Sequence, residues 1–88
     1  MQTFLKDPDS VLDYVVDWSD WLDGDTISTS TWATPSGITK DSDSNNTTTT
    51  TIWLSGGTLG KTYRITNRIV TAAGRTADET FKVKMINK

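Results

Sequence analysis

The most informative segment of the chain spans residues 56–71 and reads GGTLGKTYRITNRIVT. Its glycines indicate a tight turn, because glycine adopts positive φ without a steric penalty. After the turn, Tyr63, Ile65 and Ile69 fall on one face of an extended chain, and the opposite face carries Thr62, Arg64, Thr66 and Arg68. Successive side chains of a strand leave opposite faces of the sheet, so this alternation predicts a half-buried antiparallel strand.

Short alternating segments recur through the rest of the chain. They predict strands at residues 12–18, 26–34, 38–41, 47–54 and 81–86, with a polar loop at residues 41–46. Six or seven antiparallel strands with turn signals roughly every ten residues indicate one small β-sandwich of the immunoglobulin or fibronectin III type. We assign the sandwich to residues 11–88 and an extended N-terminal arm or edge strand to residues 1–10. The arm could add a strand to the open sheet edge of a partner.

One spacing supports the sandwich prediction. Leu59 lies four residues before Tyr63, which resembles the tyrosine corner of immunoglobulin-type domains. In that motif the phenol forms a hydrogen bond with the backbone a few residues upstream. We therefore expect the Tyr63 hydroxyl to contact this turn.

Tryptophan supplies much of the expected core. The chain has 88 residues, four tryptophans, and neither cysteine nor histidine, so its small core is not supported by disulfides. We expect Trp18 and Trp53 to be buried, and Trp21 and Trp32 to be the candidates for exposure.

The second predicted strand has an irregular pattern. Ile27 and Ala33 share one parity, whereas Trp32 has the other. This mismatch predicts either a β-bulge or a tryptophan that packs outward.

The residue types argue against catalysis and tight metal binding. Without histidine and cysteine, the usual base and thiol nucleophile are absent. The aspartate pairs at residues 17 and 20 and at residues 23 and 25 could resemble a glycosidase pair, but aspartates are also common in turns. Asp41 and Asp43 begin like a calcium loop, yet position six is Asn46 and position twelve is Ile52. We predict no catalytic residue, no cofactor and no metal site, with a weak calcium site at Asp41 and Asp43 left open.

Charge is distributed unevenly along the chain. Nine of the 11 acidic residues precede residue 45, and seven of the nine basic residues follow it. The opposite charges could pair across neighbouring strands, or opposed faces could steer head-to-tail contacts between copies or with a partner. The acidic pI of about 4.8 argues against nucleic-acid binding. No apolar run approaches the roughly 20 residues that span a bilayer, so we expect no membrane contact.

Several segments carry a family resemblance. They include KDPD at residues 6–9, GDTI at 24–27, WLSGGT at 53–58 and AGRT at 73–76. Together they resemble the fiber-tail adaptor proteins of tailed bacteriophages, and the likeness spans nearly all 88 residues.

The resemblance implies a virion structural protein of the phage neck or tail, made in the host cytoplasm, that connects components such as fibers to the tail body. Its partners would be other tail or neck proteins within a symmetric homo-oligomer. The candidate partner contacts are Phe4, Leu5, Trp21, Trp32, Arg64, Arg68, Lys82 and Lys84. The alternative from the residues themselves is a carbohydrate-binding sandwich that contacts host glycans through Trp21 or Trp32.

Overall fold

The computed structural model describes residues 2–87, which form seven strands and one short helix. The elements are β1 (Thr3–Lys6), β2 (Leu12–Asp17), α1 (Ser19–Leu22), β3 (Ile27–Ala33), β4 (Ile38–Asn45), β5 (Thr49–Gly56), β6 (Thr62–Thr71) and β7 (Thr76–Met85). Within the described residues, no helix has the length and apolar character that crossing a membrane requires.

The strands form two sheets. The four-stranded sheet has the order β1-β7-β6-β3, and the three-stranded sheet has the order β2-β5-β4. All neighbouring pairs are antiparallel except β1 and β7, which are parallel. The prediction of a wholly antiparallel fold is wrong at this pair. Parallel neighbours need a long crossover, and here the intervening chain, with the whole second sheet, supplies it.

The core lies between the inward faces of the two sheets. Tyr63, Ile65 and Ile69 of β6 are buried, which confirms the face predicted from their alternation. These three residues belong to two adjoining clusters of buried apolar side chains. The other buried members of the two clusters are Tyr14, Trp18, Leu22, Ile27, Ile38, Ile52, Leu54, Phe81, Val83 and Met85. The molecule is therefore a two-layer β protein.

A buried polar network connects the two sheets. The amide oxygen of Asn67 in β6 accepts hydrogen bonds from Trp18 Nε1 at 3.0 Å and from Thr50 Oγ1 at 2.7 Å. Its amide nitrogen donates to Ser30 Oγ at 2.9 Å and to the Thr31 carbonyl at 3.0 Å. These four bonds use the donors and acceptors of one amide side chain, so Asn67 is buried without an unsatisfied polar atom.

A second buried polar side chain anchors the first strand. Lys6 is fully buried, and its Nζ donates to the carbonyl oxygens of Asp7 at 3.0 Å, Ser10 at 2.6 Å and Gly56 at 2.9 Å. An ammonium group has three donors, so each one has a partner. Burial lowers the pKa of Lys6 from its usual value of 10.5. The side chain ties the turn after β1 to the end of β5.

The predicted tyrosine corner is present. The hydroxyl oxygen of Tyr63 accepts a hydrogen bond from the backbone N–H of Thr58 at 3.0 Å. Tyr63 is buried at the start of β6, so its ring packs in the core while its hydroxyl holds the turn between β5 and β6.

The structure confirms the predicted irregularity in β3 but not the predicted loop at residues 41–46. The register between β3 and β6 shifts between Ile27 and Thr29, which confirms a bulge in β3. The polar loop expected at residues 41–46 is wrong, because β4 continues to Asn45 and pairs with β5. Cross-strand hydrogen bonds to the threonine-rich strand keep this polar segment extended, and only residues 46–48 remain as the connection.

We predict that Tyr63→Phe lowers the free energy of unfolding by about 1 kcal/mol, because the Thr58 N–H loses its partner. Tyr14→Phe is the matched control, since the buried Tyr14 hydroxyl has no hydrogen-bond partner within residues 2–87. Urea denaturation of both variants should show a loss for Tyr63→Phe alone. Equal effects of the two substitutions would contradict the corner.

We also predict that Asn67→Leu lowers the free energy of unfolding by roughly 2–4 kcal/mol, because several buried polar groups lose partners at once. Asn45→Leu at an exposed position of β4 should change it by less than about 0.5 kcal/mol. The comparison uses denaturant midpoints and slopes. A stability of Asn67→Leu within error of the parent would show that the network does not stabilise the fold.

Candidate docking surfaces

The outward side of the four-stranded sheet carries most of the predicted partner contacts. The register aligns Leu5 with Lys84, and Arg64 with Lys82. The intervening residues of β6 and β7 point into the core, which leaves these four side chains on the outer surface. Leu5 is 47% exposed. We call this surface the basic face and define it by Leu5, Arg64, Lys82 and Lys84.

Charge on the basic face is not balanced by acidic neighbours. Arg64 lies directly opposite Lys82, and like charges at opposed positions destabilise a sheet. Within residues 2–87, the ion pairs do not include Arg64, Lys82 or Lys84. The face therefore presents a cationic patch with an apolar side chain at its edge.

Arg68 lies on the same side but is paired. Its Nε and Nη2 donate to the Asp78 carboxylate at 2.8 and 3.0 Å. This two-point contact raises the pKa of Arg68 and lowers the pKa of Asp78. Of the eight predicted contacts, five thus share one surface, and the charge of Arg68 is already neutralised.

The outward side of the three-stranded sheet has the opposite character. Asp13, Val15 and Asp17 of β2 are exposed and lie opposite Trp53, Thr51 and Thr49 of β5. Neither β2 nor β5 contains lysine or arginine. We call this surface the acidic face and define it by Asp13, Val15, Asp17 and Trp53.

The acidic face was not among the predicted contacts, because Trp53 was assigned to the core. That assignment is wrong: Trp53 is 41% exposed, and Val15 is 53% exposed. Ile52 and Leu54 on either side of Trp53 are fully buried. Strand parity therefore turns Trp53 outward, and applying it to residues 52–54 would have identified this surface.

Two other predicted contacts point into the molecule instead of outward. Phe4 is half-buried, and its ring packs against Tyr14 at 4.9 Å and Phe81 at 5.3 Å between centroids. Trp32 is half-buried and packs edge-on against Phe81. The bulge in β3 changes the parity and brings Trp32 to the inward side. The expected exposure of Trp32 is therefore wrong, whereas the burial of Trp18 is confirmed.

Trp21 is exposed as predicted, at 41%, but one side of its ring is occupied. The Arg75 guanidinium lies 4.2 Å from the ring centroid. Arg75 also donates to the Leu22 carbonyl at 2.7 Å and to Asp25 Oδ2 at 3.2 Å. Trp32 is half-buried against the core and Trp21 is stacked on arginine, so the glycan hypothesis stays a prediction.

Two of the carboxylates considered for chemistry, Asp17 and Asp25, have a lowered pKa. A backbone hydrogen bond from Ser19 lowers the pKa of Asp17. A hydrogen bond from the Thr71 side chain lowers the pKa of Asp25 to about 2, with further bonds from the Thr26 N–H, Arg75 and the Ala73 N–H. A glycosidase acid needs a raised pKa, so these environments do not suit either residue to that role.

The two aspartates considered for calcium have protein partners. Asp41 accepts a hydrogen bond from Ser55 Oγ at 2.8 Å, and Asp43 pairs with Lys40 at 3.1 Å. In the part of the chain that the structure describes, no group of three or more acidic side chains is arranged to hold a metal ion.

A cleft of about 300 Å³ opens beside the acidic face, and Val15, Asp17, Trp21 and Glu79 are among the residues that line it.

Two packed sheets with charged outward faces define a small all-β module that offers extended surfaces to its surroundings. A family model described as podophage GP4 fiber-tail adaptor protein gp77 matches residues 6–84. Because the match covers most of the 88 residues, the chain belongs to this family of phage fiber-tail adaptors, which confirms the resemblance. Membership implies a structural role in the virion tail. A comparison with curated proteins gave no match.

The lowered pKa of Asp25 predicts a pH dependence of stability. The folded-state pKa of about 2 lies below the usual 3.8, so the stabilisation from Asp25 is complete above about pH 4 and is lost as the pH falls toward 2. Asp25→Asn should therefore be less stable than the parent at pH 6, and the gap should narrow at pH 2.5. Thermal unfolding at both pH values measures this difference. A constant gap would contradict the assignment.

Proposed function

We propose that the chain is a non-enzymatic adaptor in the neck or tail of a podophage, where it connects tail components such as fibers to the tail body. The match to the fiber-tail adaptor family over residues 6–84 is the observation that carries this proposal. The basic and acidic faces support it, because a protein that acts by occupying a position in an assembly needs surfaces that contact its neighbours.

The proposal includes a symmetric homo-oligomer inside the virion. Charged faces on both sides of one chain allow each copy to contact a neighbour on either side, and tail components commonly follow a closed rotational symmetry. The candidate contacts that support docking lie on the outer surface and are Leu5, Trp21, Arg64, Lys82 and Lys84. Arg68 is set aside because Asp78 already pairs with it. We do not include Phe4 and Trp32 among them, because both are half-buried and pack against the core.

We further infer an immunoglobulin-type topology. If the strands are lettered in chain order, the three-stranded sheet is B-E-D, and β3, β6 and β7 form C-F-G. This is the partition of immunoglobulin domains, except that the first strand joins the other sheet, beside the last strand. The tyrosine corner at the start of β6 supports the same assignment. Such a scaffold suits an adaptor because its sheet faces remain free.

A phage carrying a deletion of this gene tests the function. We expect filled capsids that lack fibers or finished tails in electron micrographs, because the connecting module is missing. Complementation with the parent chain should restore fibers. The purified parent virion should contain the chain, as measured by immunoblot. Particles with normal fibers after deletion, or virions without the chain, would contradict the proposal.

A further inference from the structure

The two outward faces complement each other in charge. The basic face presents Arg64, Lys82 and Lys84 without ion pairs in residues 2–87. The acidic face presents Asp13 and Asp17 on a strand pair that lacks basic residues. Because the sheets pack through their inward sides, these faces lie on opposite sides of the molecule. A charge pattern of this kind steers an acidic surface onto a basic one.

Each face also exposes apolar area that a contact could bury. Val15 and Trp53 lie diagonally across β2 and β5 on the acidic face, and Leu5 lies beside Lys84 on the basic face. Tryptophan is frequent among residues that contribute most to binding. The principal-axis extents are 42 × 22 × 18 Å, so a broad side of the molecule has room for the about 800 Å² per partner of a standard interface.

The placement of like charges disfavours contact between identical faces. Two basic faces would bring Arg64, Lys82 and Lys84 against their own copies, and two acidic faces would do the same with Asp13 and Asp17. Either contact would add repulsion. Contact between an acidic face and a basic face avoids this repulsion between copies. It also places carboxylates near Arg64 and Lys82, which lie opposite each other and repel within one copy.

We propose that the acidic face of one copy docks on the basic face of the next copy, so that Trp53 and Val15 meet the surface around Leu5. This contact is heterologous, so it generates a ring if the rotation closes and a filament if it does not. The location of this contact in the phage tail rests on the proposed function, whereas the contact itself does not. In this arrangement, each face of one copy binds the opposite face of another copy of this chain.

Charge reversal of one face at a time tests the contact. The first variant, Arg64→Glu with Lys82→Glu, keeps the acidic face. The second variant, Asp13→Lys with Val15→Lys, keeps the basic face. Sedimentation velocity at low salt should show self-association of the parent, weakened at least about tenfold when NaCl rises from 50 to 500 mM, since exposed charges are screened. Each variant alone should remain monomeric.

An equimolar mixture of the two variants completes the test. Each molecule retains one native face, so the mixture should form complexes with equal numbers of the two variants, although neither variant self-associates. A contact between identical faces would instead leave one of the two variants self-associating on its own, because each variant keeps one face unchanged. Self-association of either variant at parental strength, or a mixture of folded variants that stays monomeric, would overturn the proposal. A parent chain that is monomeric at low salt and millimolar concentration would also overturn it.

Cysteine cross-linking supplies a second readout if a charge variant does not fold. The chain has no cysteine, so Leu5→Cys and Trp53→Cys each introduce a single thiol at an exposed position. Under oxidation, the mixture should give a disulfide between unlike chains in preference to either homodimer. Predominant homodimers would overturn the heterologous contact. Detection of the chain in purified virions is a separate measurement, so this inference can fail while the adaptor function stands.

Discussion

The hydrogen-bond network around Asn67 is the constraint on which the two-layer fold depends. A domain of this size buries little apolar surface, and the sequence contains no cysteine that could cross-link the layers. Asn67 contacts Trp18 and Thr50 from one layer and Ser30 and Thr31 from the other. Such a network is satisfied only when both sheets are in register, so it selects one packing of the layers among several that hydrophobic burial alone would allow.

The segments that carry the family resemblance meet one another in space. Lys6, from the KDPD segment, donates to the carbonyl of Gly56 in the WLSGGT segment. Arg75, from the AGRT segment, contacts Asp25 in GDTI and lies over the ring of Trp21. Glycine is required at residue 57, where φ is 103° and an added Cβ would lie 2.5 Å from Met85 Cε. These contacts hold the fold together, so most of the resemblance identifies a scaffold; Trp53 in WLSGGT is the one residue of these segments that also belongs to a charged face.

Inward and outward polar side chains therefore have different roles. Inward polar groups such as Lys6 and Asn67 are satisfied by fixed partners and specify the fold. Outward groups such as Arg64 and Asp13 lack ion pairs within residues 2–87, and the fold tolerates the repulsion of Arg64 and Lys82. A surface kept at some cost to stability fits a protein whose activity is to contact neighbours.

Local patterns by themselves determined the all-β class, the strand of residues 62–71 and the tyrosine corner, because each depends on alternation or on a turn within a few residues. The same patterns indicated an irregularity in β3 but left open whether it was a bulge or an outward tryptophan. Only the tertiary structure decided the parallel pairing of β1, the outward position of Trp53, the inward position of Trp32 and the burial of Lys6 and Asn67. These depend on which strands become neighbours, and a buried polar side chain is stable only beside partners that are distant in sequence. The sequence shows which residues alternate along a strand, whereas the packing of the two sheets decides which face of that strand points to the core.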